Sequence, residues 1–208
     1  MPSASILATF PGASILRQTP GTLRSLIANA TAEDMDWQPA PDRWSINMVL
    51  AHLADVELKG FLNHFRAMVE QDNPSIPSYD QLDQFHSGKK FDGRAELKRF
   101  DERRHETLAW LDSLPASVGA RTGRHEELGV LSCSQLLNEF AFHDLGHIRQ
   151  AIELYRSHVF YPKMRLVCDI PRFILAQLIR FLRPWRRKLS AAQLAVFGVE
   201  DQFVGGTL

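Results

Sequence analysis

The chain has 208 residues, 45% of them hydrophobic and 23% charged, the composition of a globular protein able to bury a core without staples. Its 24 Lys and Arg balance 24 Asp and Glu, which excludes the basic excess of a dedicated nucleic-acid binder. Two cysteines, Cys133 and Cys168, make no disulfide framework, and Met1 to Phe10 lacks the basic and apolar regions of a signal peptide. No run approaches the roughly 20 apolar residues of a spanning helix, so a cytoplasmic protein is expected.

Thr19 followed by Pro20 predicts a helix start, with Leu23, Leu26 and Ile27 as its apolar stripe. Pro20 lacks a backbone donor, so whether residues 14–18 join this helix is open. Thr31 to Arg43 is a connection, with Pro39 and Pro41 inside it and Trp37 and Trp44 as bulky anchors. Ser45 can cap a second helix in which Val49, His52, Leu53, Val56, Leu62 and Phe65 recur at helical spacing. Gly60 weakens that helix by roughly 1 kcal/mol relative to Ala. Asp72 to Gly93 is a long polar connection; stretches beyond about 12–15 residues are uncommon and often functional.

A third helix is predicted from Arg94 to Leu114, on Leu97, Phe100, Leu108 and Leu111, and Pro115 stops it. Ala116 to Val130 is a connection with Gly119, Gly123 and Gly129. Ser132 or Ser134 starts a fourth helix through Leu136, Leu137, Phe140, His143, Leu145, His147, Ile148, Ile152 and Tyr155. Alternating β runs are few. The expected fold is all-α, a four-helix bundle over residues 1–160, and the long connection between the second and third helices allows a crossover. Residues 161–208 form a basic, amphipathic C-terminal extension carrying eight Lys or Arg against three Asp or Glu, on a body of opposite net charge. That extension is compatible with packing on the body, with a homodimer contact or with a membrane surface.

The segment EFAFHDLGHIRQ carries the chemistry. His143 and His147, four apart on a helix, place their Cβ atoms roughly 5–6 Å apart on one face, and two imidazoles so placed can share a metal ion. Packed or surface histidines at this spacing are the plainer alternative. His52 is the candidate third ligand because it lies in the apolar stripe of the second helix, where both ring nitrogens need partners. Glu139 and Gln150 flank the pair and can reach it as supporting residues, against a solvated helix edge. Asp55, three after His52, could orient a ligand or act as a base, against a surface carboxylate. Asp144 points away from the His143–His147 face and reads as a contact to another helix. Trp44 reads as a core anchor, Cys133 as a buried inert thiol, and His64, His86, His105, His125 and His158 as solvated.

WQPAPDRWSINMVLAHLADVE followed downstream by FHDLGHIRQ resembles the DinB-like (DinB/YfiT-like) superfamily, from about Ser14 to Ser157. The family pattern is carried by Trp44-Ser45, His52, His143, His147 and the trailing Gln150. The resemblance implies a crossover four-helix bundle with a three-histidine site for one divalent ion, Zn²⁺ or Ni²⁺ first and Mn²⁺ or Fe²⁺ next. It also implies a small-molecule substrate, and its members include metal-dependent hydrolases and thiol S-transferases, the latter using a low-molecular-weight thiol. Three protein ligands leave a coordination position open, where bound water or thiolate would be a nucleophile near neutral pH. The competing readings are a non-catalytic metal-binding or stress-response protein and an HD-type phosphohydrolase, in which Asp144 rather than His147 would be a ligand. A zincin needs H-E-x-x-H, and this chain has H-D-x-x-H.

Overall fold

Among the described residues, five helix starts carry a side chain that accepts from the first turn's orphaned N–H groups, and these caps set most of the boundaries. In the computed structural model, which describes residues 4–79 and 89–160, the helices are α1 (Ile6–Thr9), α2 (Ala13–Leu26), α3 (Ala32–Asp36), α4 (Ile46–Val56), α5 (Asn63–Glu70), α6 (Gly93–Asp112) and α7 (Cys133–Tyr155). Ser45 caps α4, Asp92 caps α6, and Thr31 and Ser132 form capping boxes with Asp34 and Gln135 at the starts of α3 and α7. A π-helical segment, Glu57–Leu62, joins α4 to α5 without a break. Gly60 within it leaves room for its neighbours, since a Cβ there would lie 2.8 Å from Val56 Cγ2.

Four long elements make the bundle: α2, α4 continued by α5, α6 and α7. α4 packs on α6 and α7, and α2 packs on α7 and α6. Their directions follow from the contacts. Asn47 accepts from the Gly93 N–H, Arg103 reaches the Ala54 carbonyl and Arg104 reaches Glu57, so α4 and α6 run parallel. Phe61 stacks on Phe140 while Ala151 and Leu154 share a core with Ile46 and Val49, so α7 runs antiparallel to α4. Arg94 caps the Ile27 and Ala30 carbonyls and Arg104 meets Leu16, so α6 runs antiparallel to α2. The order of directions is up, down, down, up. The connection from α5 to α6 therefore starts and finishes at opposite ends of the bundle, the crossover that the long polar stretch allowed.

The core divides in two. Leu16, Val56, Phe61, Phe65, Leu111, Leu136 and Phe140 belong to one apolar cluster, and Leu23, Val49, Leu53, Leu97, Phe100 and Ala151 to the other. Between them lies a polar layer. Arg104, 1% exposed, donates to Glu57 Oε1 and Oε2 at 3.1 and 2.8 Å, to Asp144 Oδ2 and Oδ1 at 2.6 and 3.0 Å, and to the Leu16 carbonyl at 2.9 Å. One guanidinium thus ties all four bundle elements. Its carbon lies 4.7 Å from the Phe100 ring and 4.7 Å from the Phe140 ring, one from each cluster. Burial opposes the Arg104 charge, but Asp144 and Glu57 more than compensate. Burial pushes the Glu57 carboxyl up, against the pull of Arg104.

The structure corrects several expectations. Thr19 is not a cap: it is buried inside α2, its hydroxyl donates to the Ile15 carbonyl at 2.9 Å, and residues 13–26 form one helix through Pro20. The carbonyl that Pro20 leaves without a helical donor is that of Leu16, and Arg104 supplies the missing hydrogen bond. The core stripe of α6 is Leu97, Phe100, Arg104, Thr107 and Leu111, with Leu108 only half-buried. A small sheet occupies the connections: β1 (Ser75–Ile76) pairs parallel with β2 (Thr122–His125), which pairs antiparallel with β3 (Gly129–Ser132). These strands are too short to show alternation in sequence, and the sharp return at Gly129 uses a φ of +73° that glycine adopts without strain. Among the described residues no helix is long and apolar enough to cross a membrane. The C-terminal extension from residue 161 and His86 lie outside the described residues.

The polar layer makes a stability prediction. Arg104→Met should leave two buried carboxyls without their cation and cost about 3–5 kcal/mol in urea unfolding. Replacing Glu57 and Asp144 with Met and Leu in the same chain should recover most of that loss. A single variant within about 1 kcal/mol of the parent would contradict this account of the layer.

Candidate metal centre

α4 and α7 run antiparallel, which brings His52 of the first opposite His143 and His147 of the second. His52 Nε2 and His147 Nε2 each lie 3.1 Å from His143 Nε2, and candidate ligand atoms of all three residues fall within 4.8 Å of one another. Among the described residues this is the one cluster of its kind. Two imidazole–metal bonds of about 2.0–2.1 Å at ordinary coordination angles hold their nitrogens roughly 3.0–3.4 Å apart, which the observed spacing matches.

The protons decide what the cluster wants. His147 Nδ1–H donates to Gln150 Oε1 at 2.8 Å, since an amide oxygen can only accept, so Nε2 of His147 carries a lone pair. A proton on His143 Nε2 would serve one of its two short contacts well and leave the other poor. A cation would serve all three. Burial lowers the pKa of each ring, most for His52 and His143, where neighbouring histidine charge lowers it further. At His147 the Gln150 and Asp144 interactions offset part of that burial effect. The donor set is therefore three neutral imidazoles, the form that binds a metal ion. Nδ1 of His52 and Nδ1 of His143 are buried without a partner among the described residues, so only His147 has the expected second acceptor.

Aromatic rings flank each imidazole. Trp44, half-buried, lies parallel to His147 at 6.0 Å between centroids and tilts onto His52 at 5.0 Å. Phe61 meets His143 edge-on at 5.2 Å, and Tyr79 meets His52 at 6.4 Å. Trp44 is therefore a wall of the site as well as an anchor, because it immediately precedes the Ser45 cap that starts the His52 helix. Tyr79 was invisible in the sequence except as part of the long connection.

The two candidate carboxylates part company. Asp55 is buried; Tyr79 donates to its Oδ2 at 2.8 Å and Lys59 pairs with the same atom at 2.9 Å. Burial would raise its pKa, but these partners, with Arg99, outweigh burial and hold it below the usual carboxylate range. Glu139, one turn before His143, is half-buried, and burial pushes its carboxyl up. Asp144, the residue that an HD-type site would need as a ligand, is instead buried against Arg104 and is not among the clustered ligand atoms.

Three of the histidines read as solvated are partnered. His64 and His125 meet edge-on at 5.6 Å, and burial, then the charge of His125, lowers the His64 pKa to about 4. His158 stacks on Trp37 at 4.9 Å. Contacts made by the α5–hairpin packing and by the chain after α7 are tertiary, so polarity along the sequence could not show them. His105 is exposed, as expected. Cys133 is buried at the start of α7, and burial raises its thiol pKa to about 11, the inert cysteine expected.

The lowered histidine pKa values give a pH dependence. An unfolded histidine titrates near 6.5, and the folded rings stay neutral below that, so the unfolded state binds more protons as pH falls. Metal-free protein should keep constant stability above pH about 6.5 and lose it below, by up to about 1.4 kcal/mol per pH unit for each such ring. Denaturant unfolding at several pH values checks this. A His143→Gln variant with the same slope as the parent would exclude the cluster as its source.

The profile of the DinB superfamily matches residues 15–151. A Bacillus subtilis (strain 168) protein named "Putative metal-dependent hydrolase YfiT" is 22% identical over 145 residues, covering 68% of this chain and 81% of that protein. A solved structure described as "YfiT from Bacillus subtilis is a probable metal-dependent hydrolase with an unusual four-helix bundle topology" aligns with a TM-score of 0.63 at 22% identity, covering 69% of this chain and 83% of that one. At that identity the structural likeness speaks for the fold, and it agrees with the crossover bundle built above. Matched by that family's profile over more than half its length, the chain belongs to the DinB superfamily.

Proposed function

We propose that this protein is a metal-dependent hydrolase acting on a small electrophilic substrate, with one divalent ion held by His52, His143 and His147. The observation that carries this reading is the convergence of three Nε2 atoms, two of them 3.1 Å from the third, in rings that burial keeps neutral. The printed name of the Bacillus subtilis relative supports the same class. Imidazole donors suit Zn²⁺ or Ni²⁺. A bound ion with an open position would lower the pKa of a coordinated water and polarise a substrate carbonyl.

The chain's own residues have distinct tasks. Gln150 fixes the tautomer and orientation of His147. Asp55, already accepting from Tyr79 and Lys59, is occupied in holding that wall. Glu139 is the better proton carrier, since its raised pKa brings it nearer neutrality and it lies on the ligand-bearing helix one turn before His143.

Elemental analysis of purified protein should give about one equivalent of divalent metal per chain, lost in a folded His143→Ala/His147→Ala variant. Hydrolysis of a panel of small esters and amides should follow the metal and need no thiol. Turnover only in the presence of a low-molecular-weight thiol would replace hydrolysis by thiol S-transfer. Parent protein that neither carries nor takes up Zn²⁺, Ni²⁺, Mn²⁺ or Fe²⁺ would end the enzyme reading in favour of a binding protein. Glu139→Gln should keep the metal and lower kcat by about 10²-fold or more.

A further inference from the structure

Resting on that reading of the histidine cluster, we infer that Trp44 selects substrates carrying a flat, uncharged apolar group, most simply an aromatic ring, beside the atoms that meet the metal. Trp44 contacts two of the three histidines. Its ring plane lies within 4° of that of His147, and its centroid is 5.0 Å from that of His52. It is half-buried, whereas Phe61, on His143, is 9% exposed. Phe61 therefore closes the inner side of the cluster, and the indole stands on the solvent side with Tyr79, also half-buried, at 6.4 Å from His52. On this inference a substrate reaches the three Nε2 atoms between an indole and a phenol.

Two features keep these rings in place. Ser45, the next residue, is locked as the cap of α4, so the indole is fixed relative to His52 seven residues on in the same helix. Asp55 holds the Tyr79 hydroxyl at 2.8 Å, which leaves the face of the phenol, not its polar end, as the contact surface. Lys59 is paired with Asp55, and Arg104 with Glu57 and Asp144, so these two cations are committed and do not offer themselves to a substrate anion. Aromatic pairs prefer offset or edge-to-face contact with flat rings, and they discriminate flat from compact groups of similar polarity.

Metal-chelating probes test this without requiring turnover. Zn²⁺-loaded full-length protein is titrated with acetohydroxamate and with benzohydroxamate, two chelators that share a head group and differ in the flat ring. The parent should bind benzohydroxamate about tenfold more tightly than acetohydroxamate. Trp44→Leu, which fills apolar space without a flat face, should bring the ratio close to one at unchanged Zn²⁺ content. Trp44→Phe should keep most of the preference. Equal affinities in a metal-loaded parent, or a preference undiminished in Trp44→Leu, would overturn the role of Trp44 and leave the metal site standing. Failure of the parent to take up Zn²⁺ would overturn the metal site itself, and this inference with it.

Discussion

The bundle depends on a single buried guanidinium. Arg104 donates to Glu57, Asp144 and the Leu16 carbonyl, so one side chain links α2, the α4–α5 rod, α6 and α7. Charges in a core cost several kcal/mol each unless their partners are near and well aimed, and here two carboxylates and a backbone carbonyl surround the cation. The carbonyl is available because Pro20 has no N–H to give it. A proline in a helix interior normally forfeits about 3 kcal/mol through a lost bond and a steric clash. In this chain the acceptor it frees becomes the third partner of the guanidinium. The two carboxyls share one full cation, and Glu57 answers with a raised pKa, which relieves part of the surplus negative charge.

That layer also determines where the histidines stand. Glu57 lies five residues after His52 on the same rod, and Asp144 is adjacent to His143. Pinning both carboxyls to one guanidinium fixes the axial register of α4 against α7, and with it the separation of His52 from the His143–His147 pair. A slip of one helical turn, about 5.4 Å, would carry His52 out of reach of a shared ligand while leaving the apolar clusters broadly satisfied. Apolar packing tolerates such slips more easily than a bidentate ion pair does. The polar layer thus supplies what an all-apolar core would not, a unique register at the height of the site.

Much of this was readable beforehand because helical periodicity and capping are local. Ser45, Ser132 and the long polar stretch after Gln71 gave the second helix, the fourth helix and the room for a crossover. The order His52, His143, His147, Gln150 pointed to the residues that the fold brings together. What could not be read depended on distant neighbours. Arg104 sits where a stripe residue should be, between Phe100 and Thr107, and that displaced charge was the available signal; its meaning required Glu57 and Asp144 in space. Thr19–Pro20 fits a helix start by every local rule, and only the guanidinium opposite Leu16 explains why the helix runs through. Trp44 could be seen as a bulky anchor, but its parallel alignment with His147 arises from the packing of α4 on α7. The strands of the small sheet are two and four residues long, below the length at which alternation can be recognised.

The cluster's electrostatics link fold and chemistry. Three Nε2 atoms, two of them 3.1 Å from the third and set among Trp44, Phe61 and Tyr79, are not an arrangement that folding would favour for its own sake. One Nε2 proton on His143 serves one of its two short contacts and leaves the other poor, and Nδ1 of both His52 and His143 lacks a partner among the described residues. Each unsatisfied buried group costs about 1–3 kcal/mol. The register imposed by Arg104 holds these rings together despite that cost, so the donor set is assembled before any ligand arrives. A divalent ion held there would satisfy all three Nε2 atoms at once, where a single proton serves one short contact and leaves the other poor. The same enclosure explains why the rings around the histidines are aromatic. Trp44 and Phe61 flank the cluster without offering a competing ligand atom, and Asp55 keeps the Tyr79 hydroxyl engaged.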